Sequence, residues 1–284
     1  MRPGAISLNV ADLDRQRAFY EETIGLRELD SSDGAVRLGA AGTPVVELVE
    51  ARSAPPRPPR TSGLFHLAVL VPGRRDLAGS LRRVVRSGWS LTGASDHLVS
   101  EALYLNDPEG NGIEIYRDRP RDQWRYCGGE LEMSTLPLDV EGLAGELDED
   151  HAGENGVPPE TRLGHVHLNV GDLDDAEAFY HGLLGLDVTV RGYPGALFLS
   201  SGGYHHHLGL NTWAGAGAPP PPQGALGLRR FELLVDDEEE LDELERRLRE
   251  AGAESSREQE GLELADPSRN RILVRLDRPS GASR

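Results

Sequence analysis

Lysine is absent from this 284-residue chain: all 30 basic residues are arginine, against 48 acidic residues, for a net charge of −18. So little positive charge argues against a nucleic-acid partner, because phosphate backbones are held by basic groups. Arginine-only usage fits a GC-rich coding sequence, and the acidity fits a salt-rich cytoplasm; such charge informs solubility and not fold. Cysteine is nearly missing too. One residue, Cys127, can build neither a disulfide framework nor a Cys-based zinc cage, which suits a reducing compartment. No long apolar run and no signal-like start occur, so a soluble cytoplasmic protein with no membrane partner is expected. The length allows one large domain or two of ordinary size, with a proper core.

What is present is repetition. "SLNVADLDRQRAFYEETIGL" from Ser7 matches "HLNVGDLDDAEAFYHGLLGL" from His167 at a constant offset of 160. "FHLAVLVPGRRDLAGSLRRVVRSG" from Phe65 parallels the stretch around Arg230, and "DPEGNGIE" from Asp107 parallels "DPSRNRIL" from Asp266. Four modules of two alternating types therefore stand in two tandem halves. Each reads as a strand, a helix and three short strands. Asp12 and Asp172 are placed to cap the helices that follow them, and Gly25 and Gly185 to close them. A βαβββ unit cannot bury its sheet face alone, so the expected class is α+β, four βαβββ modules pairing into two curved-sheet barrels. The expected division is a first pair in 1–118 (about 4–50 and 63–118), a Pro-, Gly- and acid-rich linker over 119–161, and a second pair in 162–284 (about 162–214 and 226–277). "GAPPPPQGALG" (Gly217 to Gly227) reads as a stiff connector.

Aligning the modules sorts the chemistry. Equivalent first-strand positions hold Ala5, His66, His165 and Arg230; last-strand positions hold Glu47, Glu114, the run His205–His207 and Leu273. Module two thus offers His66 and Glu114, and module three offers His165 and three further histidines. Two histidines and a carboxylate on separate strands are what a facial triad for a divalent metal requires. A lone strand histidine is ordinarily structural, and Glu114 could face solvent. His165 and His167 share a strand face, so either could be the inward one. Module position is what selects His66, His165 and Glu114 jointly.

The motifs "FHLAVLVP", "SDHLVSEALYLNDPEGNGIEIYRDRP", "GHVHLNVGDLDDAEAFYHGLLGL" and "GALFLSSGGYHHHLGLNTW" resemble the vicinal oxygen chelate (glyoxalase/bleomycin resistance/extradiol dioxygenase) superfamily. The resemblance is strongest to its catechol-2,3-dioxygenase branch, and weakest in the linker and the last module. It implies iron(II), with manganese(II) the alternative, held by His66, His165 and Glu114. A small aromatic diol and O2 are the implied substrates, and extradiol ring cleavage the implied reaction. It also implies an acid/base histidine in the His205–His207 run, favouring His206, whereas the internal offset sets His207 against Glu47. His97 and Tyr104 stand where a histidine and a tyrosine act near the substrate; their plain alternatives are turn capping and core packing. Familiar two-domain relatives draw their ligands from modules three and four. Here Arg230 and Leu273 occupy those places in module four, so modules two and three are expected to share the metal barrel, within one chain or across a homodimer.

Two other readings stay open. A metal-free protein that sequesters a small aromatic would not need the His–His–Glu set. A glyoxalase-like isomerase or lyase would need further carboxylate ligands, and Glu47 lies in the wrong pairing for that. Fold alone does not choose, since this fold hosts several chemistries. Trp213 and Tyr193 are candidates to line a ring pocket, and the acidic run from Asp236 reads as a solvated helix start.

Overall fold

The computed structural model describes residues 1–147 and 156–277. Its elements follow the four-module expectation. Module one has β1 (Arg2–Val10), α1 (Leu13–Phe19), β2 (Arg27–Ser32), β3 (Ala35–Ala40) and β4 (Thr43–Glu50). Module two has β5 (Gly63–Leu70), α2 (Arg74–Arg86), β6 (Gly93–Asp96), β7 (Ser100–Asn106) and β8 (Gly112–Asp118). In the segment that follows, the described residues form short pieces: β9 (Tyr126–Cys127), β10 (Glu130–Leu131), β11 (Leu136–Pro137) and α3 (Val140–Ala144). Residues 148–155 of the expected linker lie outside the described residues. Module three has β12 (Arg162–Asn169), α4 (Leu173–Glu177), β13 (Asp187–Val190), β14 (Ala196–Ser200) and β15 (Leu208–Asn211). Module four has β16 (Gly227–Val235), α5 (Glu238–Glu250), β17 (Ser255–Glu258), β18 (Gly261–Ala265) and β19 (Arg271–Leu276). The class is α+β with curled sheets.

Local chemistry accounts for the helix ends. Asp12 accepts from the Arg15 N–H at 3.0 Å, and Asp172 accepts from the N–H groups of Asp174 and Asp175 at 2.8 and 3.0 Å. These bonds satisfy donors that the first helical turn leaves open. Helices α1 and α4 both run on into a wider π turn, over Tyr20–Ile24 and Ala178–Leu183. Each then stops at a left-handed glycine, Gly25 (φ +91°) or Gly185 (φ +83°). Helix α2 buries Leu77, Ala78, Leu81 and Val84, and α5 buries Leu241, Leu244 and Leu248. No helix among the described residues is long and apolar enough to cross a membrane.

The chain divides into two compact units. The C-terminal unit comprises Met1–Asn9, Ser53–Phe65 and the chain from His165 onward. In it β17-β18-β19-β16-β1 and β12-β15-β14-β13 lie side by side in those orders. Strand β1, the start of module one, pairs antiparallel with β16 of module four, Ile6 opposite Phe231. The N-terminal unit comprises Val10–Arg52 and His66–Gly164, with strand runs β4-β3-β2 and β11-β6-β7-β8-β5. In modules two, three and four the first and last strands run parallel and the other neighbours antiparallel.

Candidate active site

In the N-terminal unit, β5 and β8 run parallel with His66 opposite Gly112 and Ala68 opposite Glu114. Alternate strand residues share a face, so His66 and Glu114 project on the same side. Tyr104 lies opposite Glu114 across β7 and β8 and joins that face. His66 Nε2 is 3.0 Å from Glu114 Oε2, and both residues are buried. Ala68, Leu70, Ala102 and Tyr116 form the apolar floor against which Tyr104 packs. A carboxylate sunk in such surroundings must be paired or coordinated.

A hydrogen-bonded chain flanks this pair. His97 Nδ1 is 2.7 Å from the Ser134 carbonyl, and His97 Nε2 is 2.6 Å from Tyr104 Oη. A carbonyl only accepts, so Nδ1 carries the proton and Nε2 of the neutral ring accepts from the Tyr104 hydroxyl. The turn that presents His97 is fixed by its neighbours. Leu98 takes a left-handed conformation (φ +70°), and its N–H donates to Asp96 Oδ1 at 2.9 Å. Arg119 also reaches Asp96 Oδ2, at 2.6 Å. Burial pushes the Asp96 carboxyl up, but the Leu98 N–H and Arg119 outweigh it and hold the group below its ordinary value. One residue short of His165, Gly164 is pressed against this sheet. A Cβ there would fall 2.0 Å from Tyr116 Oη and 2.9 Å from Leu70 Cβ.

In the C-terminal unit, His165 and His167 of β12 are both buried. The triple-histidine run is not on a strand: β14 ends at Ser200 and β15 begins at Leu208, so the run lies in the connection. The expectation of a last-strand position for His205–His207 is corrected accordingly, and the period-two alternation of a strand does not apply to them. His206 packs 4.2 Å from the His165 ring between centroids, and His205 Nδ1 meets His206 Nδ1 at 2.7 Å. His207 turns into the loop instead. Its Nδ1 accepts from the Ser201 N–H at 3.2 Å, and its ring stacks on Tyr204 at 4.8 Å. His167 is ringed by Phe65, Phe198 and Trp213 at 5.1, 5.7 and 5.3 Å.

The matching places in modules one and four carry no such chemistry. Arg230 pairs with Glu263 at 3.1 Å and Glu260 at 3.0 Å, and Leu273 is buried. Glu47 lies 3.8 Å from Arg37. The structure thus puts His66, Glu114, Tyr104 and His97 together in one unit, and His165 and His206 together in the other. Two imidazoles and a buried carboxylate suit a hard-to-borderline divalent metal, so the donor chemistry fits the implied ion. Missed from sequence were the Ser134 carbonyl, a backbone group with no signature, and the exposed Phe65, whose place beside His66 could have flagged it. Also missed were two buried clasps, Tyr20 on Asp107 and Tyr180 on Asp266. Their recurrence in both halves was a legible signal.

Residues 2–115 and 162–273 match the Glyoxalase/Bleomycin resistance protein/Dioxygenase superfamily. The chain belongs to that superfamily. It is 42% identical over 269 residues to the "Catechol-2,3-dioxygenase" of Bacillus subtilis (strain 168), covering 93% of each chain. Within the superfamily the chain therefore stands with the dioxygenase enzymes. A solved structure from Bacillus subtilis subsp. subtilis str. 168 aligns over 99% of this chain and 86% of that one, with a TM-score of 0.66 at 15% identity. Glyoxalase I from Zea mays aligns over 96% and 91% with a TM-score of 0.57 at 16% identity. These two likenesses concern the fold alone.

Proposed function

We propose that this dioxygenase opens a catechol-type ring beside its two hydroxyls, with His66, His165 and Glu114 holding one iron(II), or manganese(II), ion. The observation that carries this reading is the buried pair of His66 and Glu114, with Nε2 3.0 Å from Oε2 on one face of their sheet; His165, itself buried, is the proposed third ligand. The 42% identity to the Bacillus enzyme supports the same reaction class. Such an ion supplies, when bound, Lewis acidity toward the diol and a route for electron density from ring to dioxygen.

The protein's own groups then divide the proton work. His97, with its Nδ1 proton committed to Ser134, receives the Tyr104 hydroxyl at Nε2. A phenol oxygen that donates its own hydrogen can also accept one, so Tyr104 is the proposed acceptor for a substrate hydroxyl. His206 is the proposed acid/base group. The Nδ1–Nδ1 contact with His205 shares one proton between the rings. When His206 holds that proton, its Nε2 is a base able to take one from the diol and return it later. The apolar floor of Ala68, Leu70, Ala102 and Tyr116 limits water at this face. In the net reaction both oxygen atoms enter the product and one ring C–C bond breaks, so no reductant is consumed.

The test is anaerobic loading with iron(II), followed by catechol and oxygenated buffer. A yellow ring-opened product 32 mass units heavier than catechol is expected, in line with the addition of one O2. Iron-bound protein that yields only isomerised or unchanged substrates across diols and thiol adducts would contradict the proposal.

A further inference from the structure

The C-terminal unit holds a feature that ring cleavage of catechol itself leaves unused. Phe65 and Trp213 are 40% and 46% exposed, unusual for side chains of their size. Both stand over buried His167, at 5.1 and 5.3 Å, and their own rings meet edge-to-face at 5.1 Å and 75°. Tyr193 closes the group, 6.4 Å from Trp213 and 5.7 Å from Phe198.

The group is held in place. The Trp213 indole N–H donates to the Pro194 carbonyl at 3.1 Å, and the Trp213 backbone N–H donates to Asn211 Oδ1 at 3.0 Å. Two glycines make the room. A Cβ at Gly195 would sit 3.2 Å from the indole nitrogen, and one at Gly209 would sit 2.8 Å from the His167 ring. Rings fixed at steep angles to each other present both faces and edges, the surroundings a flat apolar ring prefers.

Position supplies the link to chemistry. His167 follows His165 by two residues on the same strand, so the two side chains share a face roughly 7 Å apart. A diol anchored beside His165 directs the substituent opposite its hydroxyls over about that distance. We propose that Phe65, His167, Tyr193 and Trp213 form a subsite for an apolar aryl substituent on the diol, so that aryl-substituted catechols are preferred over catechol. The inference rests on the ring-cleavage reading for its anchoring point, and its test has a part that does not.

That part uses the metal-free protein. Titration with 4-phenylcatechol is expected to quench the fluorescence of Trp213, one of three tryptophans in the chain. The difference from Trp213→Phe isolates the signal, and catechol should give none at equal concentration. With iron loaded, Trp213→Ala and Phe65→Ala should each lower kcat/KM for 4-phenylcatechol about 2–13-fold, the worth of one aromatic contact, chiefly through KM. Both variants should leave catechol turnover within about 2-fold, and Trp213→Phe should recover most of the lost preference. Equal losses on both diols, or no Trp213-dependent quenching, would overturn the subsite. Quenching without turnover of either diol would uphold the subsite and instead count against ring cleavage.

Discussion

The two halves of the chain contain the same buried clasp at different lengths, and that difference sets a measurable order of stabilities. Tyr180 Oη donates to Asp266 Oδ2 at 3.0 Å, whereas Tyr20 Oη reaches Asp107 Oδ2 at 3.4 Å. Both tyrosines are fully buried. A hydroxyl-to-carboxylate bond near 3.0 Å is charge-assisted and contributes about 1.5–3 kcal/mol; at 3.4 Å it is beyond the usual O–H···O range. Removing the hydroxyl strands neither acceptor. Asp266 keeps the Asn270 N–H and side-chain amide at 2.7 and 2.8 Å, and Asp107 keeps those of Asn111, both at 2.8 Å. Tyr180→Phe should therefore cost about 2 kcal/mol, and Tyr20→Phe at least about 1 kcal/mol less. Urea unfolding reads this if each unit is followed by its own tryptophans, Trp213 in the C-terminal unit and Trp89 and Trp124 in the N-terminal one. Slopes should stay unchanged, so that midpoint shifts report stability. Coupling energy in a Tyr180→Phe, Asp266→Asn double-mutant cycle should match the single loss. A Tyr20→Phe cost equal to or above that of Tyr180→Phe would refute the reasoning.

Further expectations concern protons and catalysis. Asp96 is held below its ordinary value of 3.8, so its contribution is present above that pH and is lost as pH falls through its lower folded-state value. Asp266 is raised above 3.8 by burial, against its hydrogen bonds to Asn270, so it behaves oppositely and favours the fold more as pH falls toward 3.8. Unfolding midpoints against pH should show the wild-type advantage over Asp96→Asn shrinking in acid and that over Asp266→Asn growing; parallel trends would contradict this. Tyr104→Phe should keep iron binding yet lower kcat about 100-fold or more, the range of a positioned proton-transfer partner. His206→Ala should lower kcat similarly, while His207→Ala, engaged with Ser201 and Tyr204, should mainly lower stability. Steady-state kinetics beside thermal melts separate the two.

How much of this the sequence carried can be argued residue by residue. The modules were legible because a repeat places Asp12 with Asp172 and Gly25 with Gly185, and each pair performs the same capping task. For Glu114 the sequence offered a module position, on the last strand of the module whose first strand holds His66; which face it takes was open to strand alternation and follows from the parallel register of β5 with β8. The triple histidine was misread as strand because its glycine and tyrosine neighbours break the ladder without altering composition. Its geometry comes from contacts far off in sequence, such as Thr189 holding the His205 carbonyl at 2.7 Å. The tautomer of His97 was unreadable for a related reason, being set by a main-chain carbonyl in a segment that reads only as linker.

The central claim, a metal centre of His66, Glu114 and His165, is tested most directly by anaerobic calorimetric titration with iron(II). One ion per chain is predicted, with affinity falling more than about 100-fold in each of His66→Ala, Glu114→Ala and His165→Ala and unchanged in Glu47→Ala. Full-affinity binding in any of the three variants, or no binding by the wild-type protein, would contradict it.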